Sequence, residues 1–276
     1  QLRRAALPVD AAERYGPAMT RHIPLAGIEN FRDFGNYPTL SGRRVKAGLL
    51  YRSAHHHHAS DDDLAIVAEI GPAHIIDLRR KDERDREPSR RWDGFEADVI
   101  ENDLGHAPGD PWFEKMRSSP LTPQWFHDDA AAFYRQTPFE ERHIDLFSRY
   151  FRALAFTGGP IVVHCAAGKD RTGMICALTH HLLGVSDADM MADYLLTNNE
   201  GRIEARAAHL TDLVRREAGV ELPPDGARVA VSVHEDYLRT ALGEMERQCG
   251  SIDAYLSDVL GVDAGLRETL EARLLD

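Results

Sequence analysis

One segment near the middle of the chain constrains the fold more than any other. Three β-branched residues, Ile161, Val162 and Val163, form an apolar run of strand length. A short loop separates this run from the helical pattern of residues 171–183, which Gly184 closes. A buried strand that passes directly through a loop into a helix is typical of layered α/β proteins. The segment therefore predicts an α/β fold with a central, mostly parallel sheet flanked by helices.

The loop in that segment reads His-Cys-Ala-Ala-Gly-Lys-Asp-Arg-Thr-Gly over residues 164–173. Its small residues allow successive backbone N–H groups to curl inward as an anion nest. The helix that follows points its positive end at the same place. A thiol at this focus, that of Cys165, is expected to have a lowered pKa and to ionise near neutral pH. Arg171 can return as a fork that clamps two oxygens of a tetrahedral anion.

These residue types suit covalent chemistry on a phosphoryl group, because nucleophile, oxyanion donors and guanidinium converge on one anion. We expect His164 to hydrogen-bond the loop backbone and Thr172 either to stabilise the thiolate or to cap the helix. The residues predicted to bind phosphate are Ala166, Ala167, Gly168, Lys169, Asp170 and Arg171. A cysteine six positions before an arginine also arises by chance, so the prediction depends on the flanking strand and helix.

The proton donor for the leaving group is less constrained. A carboxylic acid usually supplies this proton, and the chain contains no Trp-Pro-Asp sequence. We favour Asp170, which lies inside the loop, and then Asp77, at the end of a predicted strand on the same rim of the sheet. Asp170 also fits a loop-shaping acceptor, and Asp77 fits a structural partner of Arg79 or Arg171. Further candidates are Asp103, Asp128 and Asp129.

Strands and helices alternate early in the chain, and helices dominate later. Strands are predicted over 49–52, 73–78, 97–101 and 161–163. Helices are predicted over 60–70, 140–156, 171–183, 186–197, 199–218, 232–248, 251–260 and 263–275. Pro223-Pro224-Asp225-Gly226 predicts a loop. We treat residues 1–276 as one domain with a helical part over about 186–276.

Residues 105–138 form an insertion whose composition differs from the rest of the chain, because it is rich in proline and aromatic residues. A stretch of this length is more often functional than idle. A small satellite core is an equally good interpretation. The run His55–His58 is interpreted as a solvent-exposed turn, since adjacent imidazoles cannot all face one metal ion. The mixed charges of residues 79–91 are typical of a self-paired solvated face.

Composition excludes some classes of function. The net charge of −12 argues against a nucleic-acid binder but allows a local site for an anionic substrate. Three cysteines do not suggest a disulfide framework, and Cys176 and Cys249 are expected to be packing residues. No apolar run is long enough for a membrane-spanning helix, and no secretory signal is evident. We expect a soluble protein, either cytoplasmic or secreted.

The loop at 164–173 resembles the signature loop of the protein tyrosine phosphatase superfamily. Its Lys-Asp before the arginine is similar to the atypical bacterial branch, to which mycobacterial enzymes belong. Three further blocks resemble that branch: Asn30-Phe31-Arg32-Asp33-Phe34-Gly35, Leu50-Tyr51-Arg52-Ser53 and Ile75-Ile76-Asp77-Leu78-Arg79. The resemblance extends from Ile28 onward through the helical tail.

The resemblance implies a phosphatase-type fold with a helical lid over a deep site, and by this analogy residues 105–138 supply part of that lid. We expect a reaction without metal or cofactor. The resemblance also implies hydrolysis of phosphotyrosine, with phosphoserine, phosphothreonine and phosphoinositides as further substrates. Lys169 occupies the position of a lysine in phosphoinositide phosphatase loops. The expected partners are a phosphorylated protein or phosphoinositide and an oxyanion in the site. Two rivals remain, a rhodanese-like sulfur-transfer enzyme and an inactive phosphate-binding module.

Overall fold

A computed structural model describes residues 21–106 and 111–276. Its centre is a five-stranded sheet made of β1 (Arg32–Asp33), β2 (Leu50–Ser53), β3 (His74–Asp77), β4 (Asp98–Ile100) and β5 (Ile161–His164). The strand order is β1-β2-β5-β3-β4, and only β1 runs antiparallel to its neighbour. The predicted α/β class with a mostly parallel sheet is confirmed.

Helices surround this sheet and make up most of the second half of the chain. The early helices are α1 (Asp61–Ile70), α2 (Lys81–Arg86), α3 (Pro111–Met116), α4 (Pro123–Gln136) and α5 (Glu141–Phe156). After β5 come α6 (Asp170–Leu182), α7 (Asp187–Leu195), α8 (Glu200–Ala218), α9 (Pro224–Val231) and α10 (Glu235–Cys249). The chain ends with α11 (Ile252–Ala254), a π-helical turn (Tyr255–Val259) and α12 (Ala264–Leu274).

The strand register places three polar side chains at one edge of the sheet. Ser53 at the end of β2 and Asp77 at the end of β3 are both paired with His164, the last residue of β5. Parallel strands that end in register deliver their following loops to the same side. The loop that begins at Cys165 therefore emerges between β2 and β3, in the middle of the sheet.

The main hydrophobic core lies between the sheet and the helices α5, α6 and α10. Helix α5 contributes a fully buried stripe at helical spacing, which consists of Leu146, Phe147, Tyr150, Phe151 and Leu154. From α6, Met174, Ile175 and Leu178 join the same cluster. Helix α6 is buried on nearly all sides. Its first turn, which follows the loop at 164–173, is therefore held firmly against the sheet.

A second hydrophobic cluster joins the insertion to the helical part. Phe113, Met116 and Phe126 from α3 and α4 pack with apolar residues of α8 and α9, among them Leu213 and Val214. We call these four helices the outer layer. The satellite core predicted for the insertion is present, but two thirds of its buried members come from residues 203–231, in the helical part of the chain.

Two predictions about local structure are wrong. Pro223-Pro224-Asp225-Gly226 is not a loop, because α9 begins at Pro224, where a missing N–H is tolerated in the first helical turn. The prediction of a solvent-exposed turn over His55–His58 fails for the first half of the run: a turn at His57 and His58 leaves His58 exposed, but His55 and His56 are only 3% and 0% exposed. His56 is packed against His164, with ring centroids 5.2 Å apart. In the described part of the chain, no helix has the length and apolarity needed to cross a bilayer.

Candidate active site

Cys165 follows β5 directly and lies at the bottom of a cavity of about 630 Å³. Cys165 is only 3% exposed, and Lys169, Asp170 and Arg171 line the same cavity. The strand fixes the start of the loop, and α6 fixes its end at Asp170. The predicted loop residues are thus gathered around one concave site.

Gly168 is the tightest point of the loop. Its φ is +63°, and a Cβ built there would lie 2.4 Å from the carbonyl oxygen of Ser53. Its own carbonyl accepts hydrogen bonds from Asn30 Nδ2 at 2.7 Å and Arg52 Nη2 at 2.9 Å. A left-handed backbone and this close approach both require glycine. The loop is therefore pressed against the end of β2.

The neighbouring carbonyls also point away from the cavity. The Ala166 carbonyl accepts the His55 N–H at 3.3 Å, and the Ala167 carbonyl accepts Arg202 Nη2 at 3.2 Å. Within residues 21–106 and 111–276, no N–H from residues 166–171 donates to another protein group. With the carbonyls held outward, these amides remain available to an anion.

A buried ion network holds Arg52, the arginine that donates to the Gly168 carbonyl. Arg52 Nη1 lies 2.9 Å from Asp193 Oδ2, and Arg32 Nε lies 3.2 Å from Asp193 Oδ1. All three side chains are at most 1% exposed. Burial alone would raise the pKa of Asp193, but the two arginines lower it well below its usual range. The carboxylate therefore stays charged and fixes Arg52 against the loop.

The Cys165 thiol has a lowered pKa. Burial alone would raise this pKa, but the Arg171 guanidinium and the hydroxyl and amide of Thr172 outweigh burial. The Thr172 hydroxyl has no hydrogen bond to oxygen or nitrogen in the described chain, so it is available to the sulfur. Cys176, nearly two turns into α6, behaves differently: burial raises its pKa to about 12. Cys165 is the thiol that is prepared to ionise.

Arg171 is held in place by a carboxylate that the sequence did not single out. Its Nη1 and Nη2 atoms lie 2.6 and 2.7 Å from the two oxygens of Glu83, and Nη1 also donates to the Leu78 carbonyl at 3.1 Å. Arg171 lowers the pKa of the buried Glu83 well below its usual range, against the effect of burial. Three of the five guanidinium donors are used, so two remain for an oxyanion.

His164 lies under the loop and is completely buried. Its Nδ1 lies 3.3 Å from the Cys165 carbonyl oxygen, and its Nε2 lies 3.7 Å from Asp77. Burial lowers the pKa of His164 to about 4, so the ring is neutral at pH 7. A neutral imidazole with its proton on Nδ1 donates to that carbonyl and holds it away from the cavity.

This geometry agrees with comparison to known proteins. The sequence model described as the tyrosine phosphatase family matches residues 23–276. The chain belongs to the tyrosine phosphatase family. It is a cysteine phosphatase, and the resemblance seen in its signature loop is confirmed over almost the whole chain.

Named relatives agree with this assignment. The chain is 31% identical over 239 residues to a Cupriavidus necator protein named as a candidate tyrosine-protein phosphatase, covering 86% of this chain and 83% of the relative. It is 28% identical over 261 residues to the triple specificity protein phosphatase PtpB of Mycobacterium tuberculosis, covering 85% and 92%. A tyrosine-protein phosphatase of Nostoc commune is 28% identical over 247 residues, covering 86% and 78%.

Among the candidate acids of this phosphatase, Asp170 faces the cavity. Tyr134 donates to Asp170 Oδ1 at 2.8 Å, and the Tyr134 and Tyr194 hydroxyls are 2.7 Å apart. Burial raises the pKa of both phenols well above the ordinary value, so both remain protonated. Since Tyr134 gives its proton to Asp170, Tyr194 donates to Tyr134. This relay from α7 through α4 orients the carboxyl group.

Asp77 lies elsewhere, in an ion pair beneath the sheet edge. Arg79 contacts it through Nε, Nη2 and the backbone N–H at 2.7 to 3.2 Å, and the residue is 1% exposed. Despite burial, His164 and Arg79 lower the pKa of Asp77 below its usual range. It does not line the cavity. These contacts match the structural alternative that the sequence left open.

The other predicted acids are also engaged in ion pairs or hydrogen bonds. Asp103 pairs with Arg84, and Asp128 accepts from Gln124 at 2.9 Å. Asp129 does line the cavity, where it accepts from the Trp112 indole N–H at 3.0 Å.

Lys169 does not point freely into the site. Its Nζ donates to the carbonyls of Ala230 and Ser232 at 2.6 and 3.1 Å and lies 3.4 Å from Asp170 Oδ2. These carbonyls are at the end of α9 in the outer layer. The lysine therefore connects the phosphate loop to the outer layer, a contact that the sequence did not predict.

The prediction of a self-paired, solvated face over residues 79–91 holds only in part. Arg80 pairs with Asp82 at 3.0 Å and Lys81 with Asp85 at 2.5 Å, but the buried Arg79 pairs with Asp77, outside the segment. Arg80 and Arg86 nevertheless contribute to the cavity wall, as does Arg142. The apolar part of the lining consists of Phe113, Phe126, Phe133, Leu210 and Leu213. The cavity therefore combines cationic groups that can attract anions with side chains that can pack against a ring.

Proposed function

We propose that this phosphatase hydrolyses phosphomonoesters, phosphotyrosine first, through a phosphocysteine intermediate and without a metal ion. One observation carries the proposal: the Cys165 thiol, whose pKa Arg171 and Thr172 lower, lines one cavity with loop residues whose N–H groups have no protein partner in the described chain. A low-pKa thiol surrounded by oxyanion donors is the arrangement that nucleophilic attack on phosphorus requires.

In the first step, the Cys165 thiolate attacks phosphorus in line with the ester oxygen. The S–P bond forms as the P–O bond breaks, and the amides of residues 166–171 and the free Arg171 donors stabilise the equatorial oxygens. Asp170 gives its proton to the leaving oxygen, so the product leaves as a neutral phenol or alcohol. The contact from Tyr134 supports this role, because it aims the Asp170 carboxyl group into the cavity.

In the second step, water attacks phosphocysteine from the side that the leaving group has vacated. The Asp170 carboxylate takes a proton from the water, the S–P bond breaks, and inorganic phosphate leaves. The Thr172 hydroxyl and Arg171 stabilise the departing thiolate. Asp77 is assigned a structural role, since its carboxylate is held by Arg79 outside the cavity.

The shape of the cavity supports an aromatic phosphoester as substrate. Its volume of about 630 Å³ and its phenylalanine-rich wall suit a tyrosine ring that enters phosphate first. The triple specificity in the name of the mycobacterial relative makes phosphoserine and phosphothreonine natural further substrates. Arg80, Arg86 and Arg142 could meet a second phosphate, which keeps phosphoinositides in the set. The outer layer is proposed to act as a lid over this cavity.

The first experiment is hydrolysis of p-nitrophenyl phosphate with a chelator present, for the natural chain and Cys165→Ser. We expect turnover that vanadate inhibits and that Cys165→Ser abolishes. Activity retained in Cys165→Ser, or lost on chelation, would refute the mechanism. A thiosulfate-to-cyanide sulfur-transfer assay checks the rhodanese alternative. Tight phosphate binding without turnover by the natural chain would favour the inactive binding module.

The second experiment separates the candidate acids. Asp170→Asn and Asp77→Asn are compared on p-nitrophenyl phosphate, whose leaving group is good, and on phenyl phosphate, whose leaving group is poor. The variant that lacks the acid should lose far more on phenyl phosphate. We expect this difference for Asp170→Asn and an equal loss on both substrates for Asp77→Asn. Phosphopeptide and phosphoinositide panels then rank the substrates.

A further inference from the structure

Three potential metal ligands meet at the rim of the cavity, away from Cys165. His58 comes from the turn after β2, Glu87 from the residue after α2, and His209 from α8. The Nε2 atoms of His58 and His209 lie 3.9 and 3.5 Å from Glu87 Oε1, and all three ligand atoms are within 4.8 Å of one another. Around a tetrahedral zinc ion, ligand atoms are about 3.3 Å apart, so small side-chain rotations bring these three onto one ion.

The cluster has the features of a built site rather than a chance meeting of exposed side chains. The Nε2 atom of His209 is buried and makes no hydrogen bond in the described chain. Glu87 is only 11% exposed in its side chain, whereas His58 is 55% exposed and offers a route to solvent. Two imidazole nitrogens beside a carboxylate are a donor set that suits zinc-like cations.

A fourth histidine supports the carboxylate from behind. His55 is 2% exposed in its side chain, and its Nε2 lies 3.4 Å from the other oxygen of Glu87. The His55 Nδ1 accepts the backbone N–H of His57 at 3.2 Å, so the ring proton is on Nε2. His55 therefore faces Glu87 as a donor, in the position of a residue that orients a metal ligand.

The nearby charges leave room for a cation. Arg206, one turn before His209 on α8, is an opposing cationic group, and its Nη1 lies 3.7 Å from Glu29. A second cavity of about 600 Å³ opens beside the cluster and is lined by the three ligands, by the acidic Asp212 and Glu217 on α8, and by Arg86, Arg215 and Arg216. These acidic groups offset the arginines of the same surface and give the ion a way in.

We propose that His58, Glu87 and His209 form a site for a divalent cation of the zinc class, with water as the fourth ligand. The proposal uses one imidazole of the histidine run, because the run alone cannot present several rings to one ion. It departs from the sequence prediction that no metal is bound. An ion here ties α8, a helix of the outer layer, to the turn after β2 and to the end of α2. Occupancy therefore restrains the outer layer where it borders the cavity.

The test uses the full chain in a Cys165→Ser background, because the reactive thiolate itself binds zinc. Zinc is titrated in competition with a chromogenic chelator, and Co²⁺ spectra report the ligand type. We expect one ion per chain and a Co²⁺ spectrum of a four-coordinate nitrogen–oxygen site without a sulfur charge-transfer band. Glu87→Gln and His209→Ala should each weaken binding at least about 100-fold, since losing even an outer partner of a ligand lowers affinity about 10- to 100-fold.

His57→Gln is the matched control. His57 is adjacent to His58 in the run, but its Nδ1 lies 3.0 Å from the Pro88 carbonyl and it is not in the cluster. It should bind zinc as the parent does. Binding that survives His209→Ala would assign the ion to the histidine run alone and overturn the proposal, as would zero stoichiometry in the parent.

Stability and exchange measurements protect the test against misfolding of a variant. Without metal, His209→Ala should unfold in urea at nearly the parent midpoint, because its Nε2 has no hydrogen bond to lose. With zinc, hydrogen–deuterium exchange of α8 should slow in the parent and stay unchanged in His209→Ala. Equal slowing in both proteins would contradict a link between the ion and α8.

Discussion

Gly168→Ala tests the geometry of the phosphate loop at its most constrained point. Two effects act there. An alanine at φ +63° costs about 1–2 kcal/mol, because its Cβ crowds its own backbone in the left-handed region. Separately, the added Cβ would lie 2.4, 2.5 and 2.7 Å from backbone atoms of Ser53 and Ala54. Normal carbon contacts are about 3.5–4.0 Å, so the loop must move by roughly 1 Å.

Such a displacement acts mainly on catalysis. Since a misplacement of about 1 Å can lower the rate about 100-fold, we expect kcat/KM on p-nitrophenyl phosphate to fall at least about 100-fold in Gly168→Ala. The protein should still fold, because domains of this kind are stable by about 5–15 kcal/mol. Circular dichroism and urea unfolding measure the folded fraction, and activity is expressed per folded molecule.

Gly184→Ala is the matched control, because Gly184 has φ +72° and no atom within 4 Å of an added Cβ. It carries the conformational cost without the close contact and lies at the far end of α6. We expect a similar loss of about 1–2 kcal/mol in stability and a kcat/KM within about twofold of the natural value. A Gly168→Ala variant that kept more than a third of the natural kcat/KM would refute this prediction, as would a Gly184→Ala variant that lost as much kcat/KM as Gly168→Ala. In either case, the contact between Gly168 and Ser53 would not determine the orientation of the loop amides.

Three further outcomes follow from individual contacts. Glu83→Gln should lower kcat/KM about 10-fold or more, because charge-assisted hydrogen bonds of about 1.5–3 kcal/mol then no longer orient Arg171. Unchanged steady-state kinetics would exclude a role of Glu83 in orienting Arg171. Tyr134→Phe should lower kcat about fivefold on phenyl phosphate and little on p-nitrophenyl phosphate, since one hydrogen bond to Asp170 is lost. Equal losses on the two substrates would contradict a role of Tyr134 in orienting the acid. Stability should fall from pH 7 to pH 4, because the pKa of buried His164 is about 4 and the unfolded ring, near 6.5, takes up a proton first. Complete protonation of this ring should lower the free energy of unfolding by about 3 kcal/mol, which urea midpoints at each pH measure. If His164→Gln kept the same dependence of stability on pH, the assignment to His164 would be refuted.

The sequence predicted the elements whose signals are local. All four predicted strands begin and end within one residue of the observed limits, because short apolar runs flanked by turn residues mark them. Helix α9 was missed since Pro223-Pro224-Asp225-Gly226 has turn composition, yet a proline also suits the first turn of a helix. Burial of His55 and His56 depends on partners distant in sequence, which no local pattern contains.

The same distinction applies to the site. The loop at 164–173 is contiguous, so its composition alone indicates an anion cradle. Glu83 lies in a run of alternating charges and looks like its neighbours until the fold brings it to Arg171. Tyr134 and Asp193 come from two further helices, and each is selected by a contact that only the tertiary structure creates. The sequence therefore identifies the reacting groups, whereas the structure adds the groups that orient them.

The acidic character of the chain is compatible with an anion site because the acidic groups nearest the loop are already paired. Asp193 is shared by Arg32 and Arg52, Glu83 binds Arg171, and Asp77 binds Arg79. Salt screens buried pairs of this kind far less than exposed charges. The potential at Cys165 is therefore set by loop amides and by arginines whose partners are fixed, and the net charge of −12 acts mainly at the outer surface. A site built in this way can bind an anion in a protein that repels anions at longer range.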